Sequence, residues 1–246
     1  VHELSVISIA VIGNTTCPVS DIYQADLHFS DIDVLLQAFG AATFAFQMCP
    51  PILFAQIIKI NNLRVQAWES TWLEPRDLSH SAHDILRSIY DFSPEQWENS
   101  KPSSRADWIS LGSTYQAAIT LYCVYSLQSL SILPQSPSLR DCCDRNGQML
   151  WSCLSETLAS PKTRRFALWP LVLLGVDAIN IDTTRRVFIQ TNLLEMSRHL
   201  GTRVPLIAKG VLERFWTSGK TKWDECFDQP FAFATQIAVD LSGLLH

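Results

Sequence analysis

No stretch of this 246-residue chain is both long and apolar enough to cross a bilayer. A helical span takes about 20 consecutive apolar residues, and the strongest run, from Phe166 to Val176, is ended by Asp177. Glycine is scarce, nine residues in all, and none belongs to a phosphate-cradling loop or a GxSxG elbow. No HExxH occurs either, so the common signatures of nucleotide-binding enzymes, serine hydrolases and zinc peptidases are absent. The seven cysteines, at 17, 49, 123, 142, 143, 153 and 226, are odd in number and include no Cys-x-x-Cys pair. That excludes a framework of paired disulfides and reads as reduced, intracellular thiols that pack as small hydrophobes. The N-terminus carries an apolar patch without a basic leader or a small-residue cleavage site, which argues against a signal peptide. It also lacks an initiator methionine, which points to a segment of a longer protein.

What remains is rich in core material. Hydrophobic residues make up 47% of the chain and charged residues only 17%, far from the composition of disorder. A chain of this length buries most of its apolar surface without a metal or disulfide staple. The formal charge of -5 is unevenly spread. Residues 160–222 hold eleven Lys and Arg against four acids, so the last third is basic and the rest strongly acidic. Such clusters are usually solvated helix faces; the alternatives are an acidic partner or the chain's own acidic part. The density of a nucleic-acid-binding arm is not reached.

Helical periodicity runs along the whole chain. Ile32, Leu35, Leu36, Phe39, Thr43 and Phe46 share one stripe, predicting a helix from Asp31, as cap, to Met48. After the break at Cys49–Pro51, a second amphipathic helix runs to about Ser70 on Phe54, Ile57, Ile58, Val65 and Trp68, with Pro51 in its first turn. Ala82, Ile85, Leu86 and Ile89 mark a third, opened by Asp77 or Ser79. The polar loop over 93–104 is the best internal boundary, and a long helix of some twenty residues follows from Trp108. Leu139, Cys142, Asn146, Met149, Leu150, Cys153, Leu154 and Leu158 repeat over five turns, which puts the adjacent Cys142 and Cys143 on a helix and not in a metal knuckle. Pro170 can open a helix from Leu171 to about Ile179, and Asp182 a further one that ends near Gly201. Segments 205–217 and 231–245 complete the pattern. Strand alternation is weak and hairpin dipeptides are missing. The expected fold class is all-α, a single domain over residues 1–246 with nine to ten helices.

Two constellations could carry chemistry. His80 and His83, beside Asp84, could present two nitrogens and a carboxylate to a metal from one helical turn, although a polar helix N-terminus explains them more simply. Asp177, at the end of an apolar run, needs a partner or a raised pKa if it is buried. It is expected either to pair with Arg185 or Arg186 or to anchor a polar group in a small-molecule pocket. Eight tryptophans and twelve phenylalanines could line such a pocket, but aromatic stripes at helical spacing are more often core.

Three segments together carry a resemblance to a known family. "CPPILFAQIIKINNLR" (49–64) is similar to a proline-led helix, "FALWPLVLLGVDAINIDTTRRVFI" (166–189) to an aromatic-proline segment followed by an arginine-opened helix, and "VLERFWTSGKTKWDECFDQPFAFA" (211–234) to a helix ending in tryptophan, a variable turn and a tryptophan-led acidic segment. In order and spacing they resemble the regulatory domain of fungal-specific zinc-cluster transcription factors, about its last two-thirds. The resemblance implies an all-helical domain in the nucleus, C-terminal to a DNA-binding module, that often self-associates as a homodimer and in some members senses a small apolar effector. Under it, Trp169, Asp177, Trp216, Trp223 and Phe227 are candidates for lining or supporting a ligand cavity. The family's six-cysteine zinc cluster is missing, so no metal or other cofactor is expected in this chain, and DNA contact only through a module outside it. The competing reading is an enzyme acting on a hydrophobic metabolite by cyclisation or rearrangement, with Asp177, a histidine, Tyr115 or Tyr122 as acid or base. A third, a pure dimerisation scaffold, predicts a filled core without a ligand-sized cavity.

Overall fold

The computed structural model describes residues 2–41, 49–69, 75–98, 105–180 and 183–235. Within them the chain forms twelve α-helices, joined by turns and short 3-10 segments, and no strand. In chain order these are α1 (His2–Thr15), α2 (Ala25–Ser30), α3 (Ile32–Ala41), α4 (Pro51–Glu69), α5 (Pro75–Tyr90), α6 (Pro94–Glu98), α7 (Arg105–Ser129), α8 (Pro137–Ala159), α9 (Leu168–Asp177), α10 (Thr183–Leu200), α11 (Val204–Thr217) and α12 (Trp223–Cys226). The excess over the expected nine to ten comes from α1, which carries no amphipathic stripe, and from the short α2, α6 and α12. Among the described residues no helix is long and apolar enough to cross a membrane.

α7 is the axis of the fold. It packs most extensively on α8 and also touches α4, α5, α6, α9 and α12. Buried residues face every direction around it, among them Leu111, Tyr115, Ala118, Ile119, Tyr122 and Val124. A helix apolar all round belongs in a core, not on a surface. One contiguous cluster runs from Val11 to Phe233, as the expectation of a single core-building domain requires.

Several helix ends differ from expectation for local reasons. α5 starts at Pro75, one turn before Ser79, because proline is favoured at the first helical position and leaves Asp77 as a first-turn carboxylate. α9 starts at Leu168 and not Leu171: Pro170 sits inside the first turn, where an absent N–H costs nothing. Asp31 caps the end of α2, and its carbonyl accepts from Leu35 N at 2.9 Å as α3 begins. The Thr43–Phe46 part of that stripe, and the cap assigned to Asp182, lie outside the described residues. α8 starts with Pro137 in its first position and Ser136 Oγ accepting from Leu139 N at 3.3 Å. α10 ends at Gly201, whose φ of 60° suits glycine. Trp68 and Met149, assigned to buried stripes, are 61% and 48% exposed.

The expected helix over 231–245 does not begin as one: residues 231–235 are non-helical. Phe231, Phe233 and Thr235 are buried while the alanines between them are more open, the alternation of an extended chain. Phe231 N donates to Thr16 O at 3.0 Å and Thr16 Oγ1 donates back to Phe231 O. Residues 236–246 lie outside the described set.

The C-terminal end of α1 and the start of α12 meet at Arg64, which is wholly buried on α4. Its guanidinium donates to Asn14 O at 2.9 Å, Cys17 O at 3.0 Å and Asp224 Oδ1 at 2.8 Å, and lies 3.2 Å from Tyr122 Oη. A rigid fork of donors thereby closes the C-terminal carbonyls of α1 and pins α12. Trp169 Nε1 donates to Thr15 Oγ1 at 2.7 Å, and Trp223 Nε1 to Thr15 O at 3.0 Å. Residue 15 is a meeting point for three tertiary elements.

Candidate functional site

The C-terminus of α9 is read by two consecutive arginines at the start of α10. Asp177 is buried there. Arg185 Nη1 donates to Asp177 Oδ2 at 2.7 Å, and Tyr125 Oη, from α7, donates to Oδ1 at 2.5 Å. Arg185 also reaches Gln148 Oε1 at 3.2 Å and lies 5.0 Å from the centre of the Trp151 ring, both on α8. Arg186 takes the backbone: its Nε donates to Ala178 O at 3.2 Å and its Nη2 to Ile179 O at 2.6 Å, while its guanidinium lies 5.3 Å from the centre of the Trp216 ring. Cations on the last carbonyls of a helix complement its dipole. Of the two partners expected for Asp177, Arg185 is the one that pairs with it.

Burial pushes the Asp177 carboxyl up from its ordinary value, against the opposing pull of the Tyr125 hydrogen bond and the Arg185 charge. The Tyr125 phenol is also raised, first by burial and then by Asp177, so it stays protonated and donates. Gly147 makes room for the pair: a Cβ at that position would lie 2.3 Å from Asp177 Oδ2. Four helices, α7 to α10, thus converge on one carboxylate.

Asp177 and Tyr125 also border open space. They help to line a cleft of about 380 Å3 together with Val176, Ile179, Lys222 and Trp223, and a neighbouring one of about 270 Å3 with Leu139, Arg140, Cys143 and Asp144. The walls are mixed, apolar on one part and charged or amide-bearing on another. Burial holds the Cys143 thiol up at about 12, which leaves it protonated and unreactive.

Of the residues nominated from the sequence, Asp177 and Trp223 share the larger cleft. Trp169 borders only a void of about 10 Å3, and its ring stacks on Tyr115 with 5.9 Å between centres. Phe227 is fully buried against Trp223 and Phe233. Trp216 is half-buried, with Nε1 donating to Gly175 O at 2.8 Å. Tyr115 and Tyr122, the phenols of the enzyme reading, are wholly buried: one donates to Phe166 O at 2.8 Å, the other to Asn61 Oδ1 at 2.5 Å, and burial raises both. His80 reaches Asp84 at 3.5 Å, and His83 Nδ1 is 2.7 Å from Ser79 O. Among the described residues no three His, Cys, Asp or Glu side chains converge as a metal site would. Tyr125, Gly147, Gln148 and Arg64 went unnominated. Tyr125 and Gly147 sit inside otherwise ordinary helical stretches, and only the arginine within an apolar helix gave a signal.

The family model of the fungal specific transcription factor domain matches residues 49–230, most of the chain, and the chain belongs to that family. It is 47% identical over 235 residues to the phomenoic acid biosynthesis cluster-specific transcriptional regulator of Leptosphaeria maculans, which covers 95% of this chain and 45% of that protein. The chain spans less than half the length of this relative. No solved structure matches it.

Proposed function

We propose that this chain is the regulatory domain of a nuclear transcriptional regulator, with DNA contact made by a module outside it. The family membership and the relative's description as a cluster-specific transcriptional regulator support this reading, and neither favours the enzyme alternative. Control is exerted through the cleft beside Asp177, where an effector with an apolar body and one polar end displaces Tyr125 or Arg185 from the carboxylate. The observation that carries this is the junction of α7, α8, α9 and α10 on one buried carboxylate that also borders open space. A ligand can shift an arrangement only through differential contacts in its two states, and this junction offers them. The domain acts as a homodimer. Val187 and Leu194, seven apart on α10, and Leu206 and Ile207 on the adjoining α11 are exposed apolar residues that support that reading.

The test is a reporter assay with the chain fused to an unrelated DNA-binding module. Wild type is expected to drive or repress the reporter, while Asp177→Asn, folded by circular dichroism, shows a shifted basal output. Equal output from wild type, Asp177→Asn and the bare DNA-binding module refutes the regulatory reading. Sedimentation at micromolar concentration tests the dimer separately.

A further inference from the structure

A second groove, sharing no lining residue with the Asp177 cleft, lies between α4 and α5 and encloses about 350 Å3. Its α4 wall is polar where a helix contact is ordinarily apolar. Gln56, Lys59, Leu63 and Gln66 recur at steps of three and four and form one stripe. Ser81, Asp84, Ile85 and Ser88 stand at positions i, i+3, i+4 and i+7 of one face of α5, and Phe29 of α2 adds an aromatic edge.

One group on this wall lacks the partner that a buried polar atom normally has, and a half-buried cation stands beside it. Gln56 is only 3% exposed; its Nε2 donates to Ile52 O at 3.3 Å, but its Oε1 has no hydrogen-bond partner. A methionine or leucine would fill the same space without stranding a carbonyl. Lys59 is half-buried on a helix whose neighbouring residues are almost all buried, and it makes no ion pair among the described residues. The acid across the groove does not serve it: Asp84 is held by Arg87 at 3.0 Å and by His80 at 3.5 Å.

We propose that this groove binds a monoanionic hydroxycarboxylic acid. The carboxylate pairs with the Lys59 ammonium, the Gln56 amide turns from its buried position so that Oε1 accepts a hydroxyl in the groove, and the hydrocarbon lies along Phe29, Leu63 and Ile85. Side chains three apart on a helix have their Cβ atoms about 5–6 Å from each other, so the hydroxyl sits within a few bonds of the carboxylate. A plain fatty acid has no donor for Gln56. A phosphate dianion fits poorly, because a single ammonium faces it and Asp84 adds a negative charge to the same space. The volume is at the small end of metabolite pockets, about 300–1,000 Å3. This assignment goes beyond the Asp177 reading and does not depend on it.

Calorimetry on the whole chain with 3-hydroxyoctanoate tests it, with octanoate, methyl 3-hydroxyoctanoate and inorganic phosphate as comparisons. The hydroxy acid is expected to bind at least about tenfold more tightly than each of the three, the discrimination that one charge-assisted or one otherwise unmet hydrogen bond provides. Lys59→Met removes the preference for acid over ester, Gln56→Met removes the preference for the hydroxy over the plain acid, and Met149→Ala, at an exposed position of α8, changes neither. Should Gln56→Met fail to fold, the Lys59→Met arm decides alone. Absence of binding by 3-hydroxyoctanoate, unchanged binding to Lys59→Met, or phosphate binding as tightly as the acid each overturns the proposal.

Discussion

Replacing Gly147 by alanine sets two sizeable effects against each other. Gly147 is in the interior of α8, where alanine is better than glycine by about 0.5–1 kcal/mol for conformational reasons. The new methyl carbon, however, would be placed 2.3 Å from Asp177 Oδ2 and 2.9 Å from its carboxyl carbon. Asp177 cannot swing aside cheaply, because Tyr125 and Arg185 hold it from two directions. Overpacking costs about 1–3 kcal/mol, and partial loss of a buried ion pair adds to it. The clash therefore wins, with a net loss of about 2 kcal/mol, or roughly 4–8 °C in Tm for a chain of this size. The decisive assay is a double-mutant cycle by thermal unfolding. With Asp177→Ala as background the obstructing carboxyl is gone, and Gly147→Ala should become neutral or raise Tm. Equal destabilisation in both backgrounds, or stabilisation of the wild type, would refute the claim that Gly147 exists to admit Asp177.

Arg64→Met removes the donor shared by Asn14, Cys17 and Asp224; we expect a loss of about 3 kcal/mol, at the low end for a broken buried pair because the Asp224 side chain keeps 23% exposure. Hydrogen exchange should show α1 losing protection more than α8 does, and even protection across both would count against the staple. Asp177 also predicts a pH dependence. Its folded pKa lies above the ordinary value, so the folded state holds the proton more tightly, and this stabilisation, complete at acid pH, is lost as pH rises through the raised pKa. Asp177→Asn should flatten the part of the profile that lies above the ordinary carboxylate range, as read from paired melts; parallel profiles for mutant and wild type would contradict it.

Much of this was legible in the sequence. The repeats that place α4 and α8 follow from apolar spacing, helped at α4 by Pro51, and both elements survive folding because nothing tertiary competes with them. The Asp177–Arg185 pair was legible too, since a carboxylate ending an apolar run has few options and two arginines follow within ten residues. α1 escaped because it lacks an amphipathic stripe, so its apolar patch carries no period to find. The extended 231–235 segment escaped because its alternating phenylalanines are too few to outweigh a helical pattern, and the pairing with Thr16 that fixes it joins residues 215 apart. Tyr125 and Gly147 were invisible for a different reason: their roles depend on which face of α7 and α8 meets α9, and periodicity alone does not say which helices become neighbours.

The junction at Arg64 bears on how the protein can be dissected. The matched family segment begins at residue 49, yet Asn14, Thr15 and Cys17 supply the carbonyls and hydroxyl that accept from Arg64, Trp169 and Trp223. A fragment trimmed to that segment would leave the Arg64 guanidinium only Asp224 and Tyr122 as partners and would strip both indole N–H groups of their acceptors on Thr15. The folding unit therefore includes the last turn of α1, upstream of the matched boundary.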